Sequence, residues 1–303
     1  MLLSLEAASA ADPLGVSTGV MEIVAMLSPA AVRRDLLRAA GQAGTLLGRG
    51  RRVAAPMVDQ ALERLNERSL LGFSLDGQAV SMHCLVARVA RGWLARRGRL
   101  GAACRAAASA LEESAIALLE PRDHTAVTEM LGQVTALLEN AGASTNDTGE
   151  KLAGMLMRLR LLAVAYEDAG WVADAIQLFE QILAGHERLL GPDDPDTMRS
   201  RNDLARTYRK AGRTADAVPL VEQTLVARER LFGADHPGTL ASRNNLASAY
   251  RATGRAAQAI PLLEENVAAC ERLFGADHPK TLASRHNLDL ACQESAQAEN
   301  EGR

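Results

Sequence analysis

The segment ERLFGADHPGTLASRNNLASAY, residues 229–250, returns at 271 as ERLFGADHPKTLASRHNLDLAC and stands at 187 in the looser form ERLLGPDDPDTMRSRNDLARTY. The spacing is 42 residues throughout: Gly191, Gly233 and Gly275; Tyr166, Tyr208 and Tyr250; Gly170, Gly212 and Gly254; Ala175, Ala217 and Ala259. A fixed period in the range of about 20–50 residues commits a chain to stacked units, each too small to bury its apolar face alone.

Each unit reads as two helices and two turns. In the first helix Leu204, Ala205 and Tyr208 share a face, and the pattern stops at KAGR or ATGR, where Gly212 and Gly254 suit a left-handed helix end. The second helix turns Ala217, Val218, Leu220, Val221 and Leu225 inward and stops at LFGADHP, with Pro237 or Pro279 opening the next helix. Pro219 and Pro261 lie about one turn inside that second helix and predict a slight kink. Only 3% of the chain is aromatic, and Leu and Ala carry the apolar load, which suits close-packed helices. The expected fold class is therefore mostly all-α, a solenoid over residues 151–303 with three units and a capping helix at about 280–294.

Leu204-Ala205, Tyr208, Gly212 and Ala217 resemble a tetratricopeptide repeat, and the 42-residue period resembles the variant found in kinesin light chains and many bacterial regulators. That resemblance implies a right-handed superhelix that binds a protein or peptide. Opposite the buried face of the first helices lie Arg199, Asp203, Arg206 and Lys210, then Ala241, Asn245, Ser248 and Ala252, then Ala283, Asn287 and Leu290. Met157, Leu161, Val164 and Asp168 hold the same places in the first unit, with Arg160 beside them. Stacked helices would line a groove with these side chains, and Asn245 and Asn287, flanked by Asn202 and Asn244, suit the backbone of an extended peptide. Related repeats hold peptides with an asparagine ladder, so the resemblance points the same way. His236 and His278 beside Asp235 and Asp277 are expected to cap helices rather than to bind metal, since the first copy has Asp193-Asp194 there.

The first hundred residues carry 13 Lys/Arg against 8 Asp/Glu, the remainder 21 against 29, so two regions of different surface are expected. EIVAMLSPAAVRRDLLRAAG reads as two short helices, PMVDQALERLNERSLL as a third with Pro56 in its first turn, and LLGFSLDGQAVSM as a hairpin around Asp76-Gly77. HCLVARVARGWLARRG closes the set, a winged-helix order over residues 1–100. SLLGFSLDGQAVSMHCLVARVA resembles the winged-helix segment of NB-ARC signal-transduction ATPases of the STAND class. The resemblance implies that His83, in Met82-His83-Cys84, contacts the β-phosphate of bound ADP; the family has Asp where Cys84 stands. No GxxxxGK[ST] occurs, so ADP or ATP is expected only with an upstream NB-ARC module, and the chain reads as the C-terminal part of a larger ATPase or a shortened relative. Residues 101–150 read as two helices, a linker or degenerate repeat, ending in the polar break ASTNDTGE.

These features favour a non-catalytic interaction scaffold and sensor. The alternative is a DNA-binding transcriptional regulator reading through the winged helix, suggested by Arg33, Arg34, Arg49, Arg51, Arg52, Arg96, Arg97 and Arg99 and opposed by the Asp59, Glu63, Glu67 stripe on the candidate recognition helix. No nucleophile–base constellation has a matching motif, and Glu112-Glu113 and Glu264-Glu265 are adjacent on helices, where neighbours splay apart. Trp93 and Trp171 read as packing residues. Cys84, Cys104, Cys270 and Cys292 have no disulfide or metal spacing, and no apolar stretch reaches the roughly 18 residues of a membrane span, so a cytoplasmic location is expected.

Overall fold

The computed structural model describes residues 12, 14–27, 30–46, 51–117, 124–141 and 146–301. The chain divides into two compact units, residues 1–185 and 186–303, with the boundary inside the repeat region.

The first unit opens with α1 (Val16–Met26), whose eleven residues are all buried. Asp12 Oδ2 accepts from the amides of Ser17 and Thr18 at 2.5 and 3.3 Å, so a carboxylate satisfies the free donors of the helix start. After β1 (Val32–Arg33) come α2 (Arg34–Gln42) and α3 (Ala55–Glu67), which has proline in its first turn as expected. The hairpin β2 (Gly72–Phe73) and β3 (Ala79–Ser81) turns through Asp76-Gly77: Ser74 Oγ donates to Asp76 Oδ1 at 2.6 Å, and Gly77 takes φ 67°. The sheet order is β1-β3-β2, all antiparallel, with Val32 opposite Val80 and Phe73 opposite Val80. Strand β1 departs from the reading of this stretch as two adjoining helices. Arg34 fastens it to the hairpin, with Nη1 2.9 Å from Gly77 O and its guanidinium over the Phe73 ring.

Helix α4 (Cys84–Arg96) closes this group, burying Val86, Ala87, Ala90, Trp93 and Leu94. Helices α5 (Leu100–Ala117) and α6 (His124–Ala141) follow, and α5 packs against α1, α2, α4, α6 and α7 (Asn146–Asp168). The expected polar break is mostly helical, because α7 starts at Asn146. Arg105 holds that first turn, its Nη1 2.8 Å from Asp147 Oδ2 and 3.2 Å from Thr148 Oγ1. Farther along, Lys151 Nζ meets the nearly buried carboxylate of Glu112 at 2.6 Å. Helix α8 (Val172–Leu189) lies close enough to α6 and α7 that a side chain at Gly185 would press on the methyls of Leu138 and Leu156 and make them shift.

The second unit contains α9 (Pro195–Lys210), α10 (Thr214–Phe232), α11 (Pro237–Ala252), α12 (Ala256–Phe274) and α13 (Pro279–Glu301), the last longer than the capping helix expected. Helices α10 and α12 run without a break through Pro219 and Pro261. Every expected left-handed glycine is present, Gly212 at φ 75° and Gly254 at 73° among them. Ala247, Ala259, Leu263 and Ala291 form the core between α11, α12 and α13, flanked by Tyr250, Ile260 and Leu288.

Candidate partner-binding face

Within the second unit, Ala241, Asn245, Ser248 and Ala252 are all exposed or half-exposed and recur at the i, i+4, i+7, i+11 spacing of one helix face. The matching stripe on α13 carries exposed Ala283 and half-buried Asn287 and Leu290. The two stripes are held side by side. Arg251 donates to both carboxylate oxygens of Glu294 at 2.8 and 2.6 Å, and Ala247 meets Ala291 in the shared core. Those hydrogen bonds from Arg251 hold the Glu294 carboxyl below its usual range.

Helix α9 presents exposed Arg199 and Lys210 and half-exposed Arg206. Asp203 is buried, with Arg206 Nη2 3.8 Å from its Oδ1, so the basic stretch contains an acid that faces inward. Asn202 is half-buried. Asn244, expected to flank the groove, turns away from it: its Nδ2 lies 3.5 Å from Ser284 Oγ, and its Oδ1 is buried. One residue along a helix is a rotation of about 100°, enough to carry Asn244 into the α11–α13 seam while Asn245 faces outward. Arg160 is half-buried on α7 in the first unit, next to Leu161, which is 60% exposed.

The residues that most regularly tie the repeats together carry no signal in the sequence beyond their recurrence. Arg201, Arg243 and Arg285 each reach back 14 residues, to Glu187, Glu229 and Glu271, through Nη2 at 2.7, 2.6 and 2.5 Å. Arg201 and Arg243 also donate to the carbonyls of Pro192 and Ala234, which joins helix end, turn and next helix. A second pairing runs between successive repeats: Arg230 meets Asp193, and Arg272 meets Asp235 at 2.8 Å. A third set links His186, Arg228 and Cys270 to Ser200, Ser242 and Ser284. The 42-residue recurrence of these pairs is visible in the sequence; that they meet is not.

His236 and His278 cap α11 and α13, accepting through Nδ1 from Gly238 N at 3.1 Å and Lys280 N at 3.2 Å. Each ring stacks on the phenylalanine four residues earlier, Phe232 or Phe274, at 4.9 Å between centroids. Asp194 caps α9 in the same way. Among the described residues no group of three His, Cys, Asp or Glu side chains gathers as a metal would need, and no helix is long and apolar enough to cross a membrane.

With paired helices, left-handed glycines and a 42-residue register in place, comparison with known families agrees. Models described as tetratricopeptide repeat match residues 154–230 and 239–280. These segments are tetratricopeptide repeats. No curated protein matches the chain. Among solved structures, a Podosopora anserina protein assigned as a kinesin light chain with nearly identical TPR-like repeats aligns at TM-score 0.46 and 29% identity, over 63% of this chain and 88% of that one. A single-substitution form of that protein aligns at 0.45 with the same identity and coverage. BtubC (BKLC) from P. vanneervenii aligns at 0.43 and 16% identity, over 68% of this chain and 79% of that one.

In the first unit, His83 is exposed and caps α4, its Nδ1 accepting from Leu85 N at 3.2 Å, beside an open depression that Asn66, Ser69, Met82 and Cys84 also line. On α3, Asp59 does not stand free with Glu63 and Glu67. Partial burial opposes its charge, yet hydrogen bonds from Arg38 and Arg34 at 2.9 and 2.7 Å hold its carboxyl below the usual range. The outward acids of that helix are Glu63 and Glu67.

Proposed function

We propose that this chain is a non-catalytic scaffold and sensor whose tetratricopeptide repeats hold a peptide or protein on the open face shared by α9, α11 and α13. The observation that carries the reading is the outward stripe of Asn245, Ser248 and Asn287 on two helices pinned together by Arg251 and Glu294. A primary amide offers two donors and an acceptor, the set an extended backbone requires, and Arg199, Arg206 and Lys210 add positive charge along the neighbouring helix. Residues 1–100 are assigned to a winged-helix module, residues 101–150 to a helical linker and 151–303 to the repeats. In this reading the module couples partner capture to a STAND-type ATPase module, and His83 turns to nucleotide only when that module supplies the phosphate cradle.

Selection of displayed random peptides against the full chain, followed by fluorescence polarisation, measures the affinity directly. The Asn245→Ala/Asn287→Ala variant removes two amides that each make bonds of about 0.5–1.5 kcal/mol, so the selected peptide should bind about 10-fold more weakly or worse. Its melting should stay within about 0.5 kcal/mol, as for other surface substitutions. Undiminished affinity would refute the assignment of this face.

A further inference from the structure

Between Asp76 and Glu112 the chain carries six arginines and not one acidic residue. Five of them lie on or just beyond α4, whose exposed stripe, read at helical spacing, is Leu85, Arg88, Gly92, Ala95 and Arg96, with exposed Arg99 just past the turn at Gly98 that ends the helix. Arg88 and Arg96 are exposed, and Arg97 lies over the face of Trp93 at 4.3 Å. Arg99 reaches Glu22, a carboxyl that burial pushes up to about 7, so at neutral pH that arginine is only partly offset. Arg91 donates to Ala25 O and keeps its charge; burial lowers its pKa, and the charge of Arg88 lowers it further. Cations therefore crowd one another along this helix.

The surface continues beyond α4. Arg51 and Arg99 line one depression with Thr18 and Leu46, and its acid, Asp12, is already engaged by the amides of Ser17 and Thr18. We propose that this arginine stripe, continued by Arg51, docks the phosphodiester backbone of a nucleic acid without reading its sequence. From Arg88 to Arg96 the helix rises roughly 12 Å, the length of about three to four phosphates of one strand, and Arg99 follows just past its end. Guanidinium groups suit phosphate because they present paired donors, and Gly92 and Ala95 let a backbone approach closely between them. An anionic membrane fits less well. Of the larger apolar side chains of α4 only Leu85 is exposed, with Val89 half-buried and Val86, Trp93 and Leu94 buried, which leaves no wide apolar face to insert among lipids. This surface lies on a different element from α3, whose outward acids oppose phosphate.

The full chain is titrated with a fluorescent duplex of about 20 base pairs, in two unrelated sequences, between about 50 and 200 mM salt. Both duplexes should bind alike, and affinity should fall steeply with salt. Arg88→Gln/Arg96→Gln should flatten the logarithmic salt slope by about 0.9 for each phosphate no longer neutralised and weaken binding at least about 10-fold at low salt. Arg88→Lys/Arg96→Lys should retain most of the binding, and Arg206→Gln/Lys210→Gln should match the parent. Asn245→Ala/Asn287→Ala should also keep duplex binding, so that failure of the peptide reading and failure of this one are separable. The proposal is overturned by absence of binding at the lowest salt, by an unchanged slope in the glutamine variant, by marked preference for one sequence, or by capture of phosphatidylserine vesicles with no capture of duplex.

Discussion

Glu22→Gln isolates the cost of a carboxyl placed in the middle of a buried helix. Glu22 is 5% exposed, Oε2 accepts from Arg99 at 3.0 Å, and Oε1 finds no hydrogen-bond donor among the described residues. Burial raises its pKa and Arg99 only partly opposes that, so the group titrates at about 7 instead of 4.5. Between those two values the folded protein keeps a proton that the unfolded chain releases, so stability falls as pH rises through this window and levels off above about 7. At about 1.36 kcal/mol per pH unit the full cost is on the order of 3 kcal/mol. Glutamine keeps the size, carries no charge to desolvate and loses the charge-assisted bond from Arg99, so the gain lies below that ceiling. The assay is urea unfolding from pH 4.5 to 8, followed by the fluorescence of Trp93 on α4 in a Trp171→Phe background. The variant should match the parent at the acid end and exceed it by about 1–3 kcal/mol at pH 8. Parallel pH profiles, or a parent more stable than the variant at pH 8, would show that the native site carries no such penalty.

Two further substitutions probe the repeats. Arg243→Ala removes the bonds to Glu229 and Ala234 and should lower the urea stability of the full chain by about 1–3 kcal/mol, against a negligible change for Arg209→Ala on the exposed end of α9. Gly254→Ala forces a side chain into φ 73° and should cost about 1–2 kcal/mol in the same assay, whereas Gly92→Ala on the open face of α4 should be neutral or stabilising.

The helix pairs and their ends were legible because they are set by local signals: the 42-residue register, glycines where φ must be positive, and a capping residue before each proline. Strand β1 was not, since two residues become a strand only by meeting Val80 and Ala79, more than forty positions away. The start of α7 was misplaced for a similar reason. NDTGE is a weak helix former by itself, and its first turn is held from outside by Arg105. At the candidate face, periodicity alone separated Asn245 and Ser248 from the core. It did not foresee that Asp203 would be drawn inward or that Asn244 would fall in the seam, because both depend on how closely neighbouring helices approach. The Arg–Glu pairs look in sequence like ordinary solvated charge, and only the fold shows them meeting.

The Asp–Arg pairs between successive repeats have a consequence for how such a protein grows. Each rung between units joins an aspartate in one turn to an arginine 37 positions later, at Asp193–Arg230 and Asp235–Arg272. Asp277 repeats the first half of that rung in the third copy. A duplicated block of 42 residues spliced in after Asp277 in register would bring its own arginine to the Asp277 carboxylate and offer a fresh aspartate in turn. Lengthening by gene duplication would then need no compensating change at the joint, because the adhesive is written into the copied text.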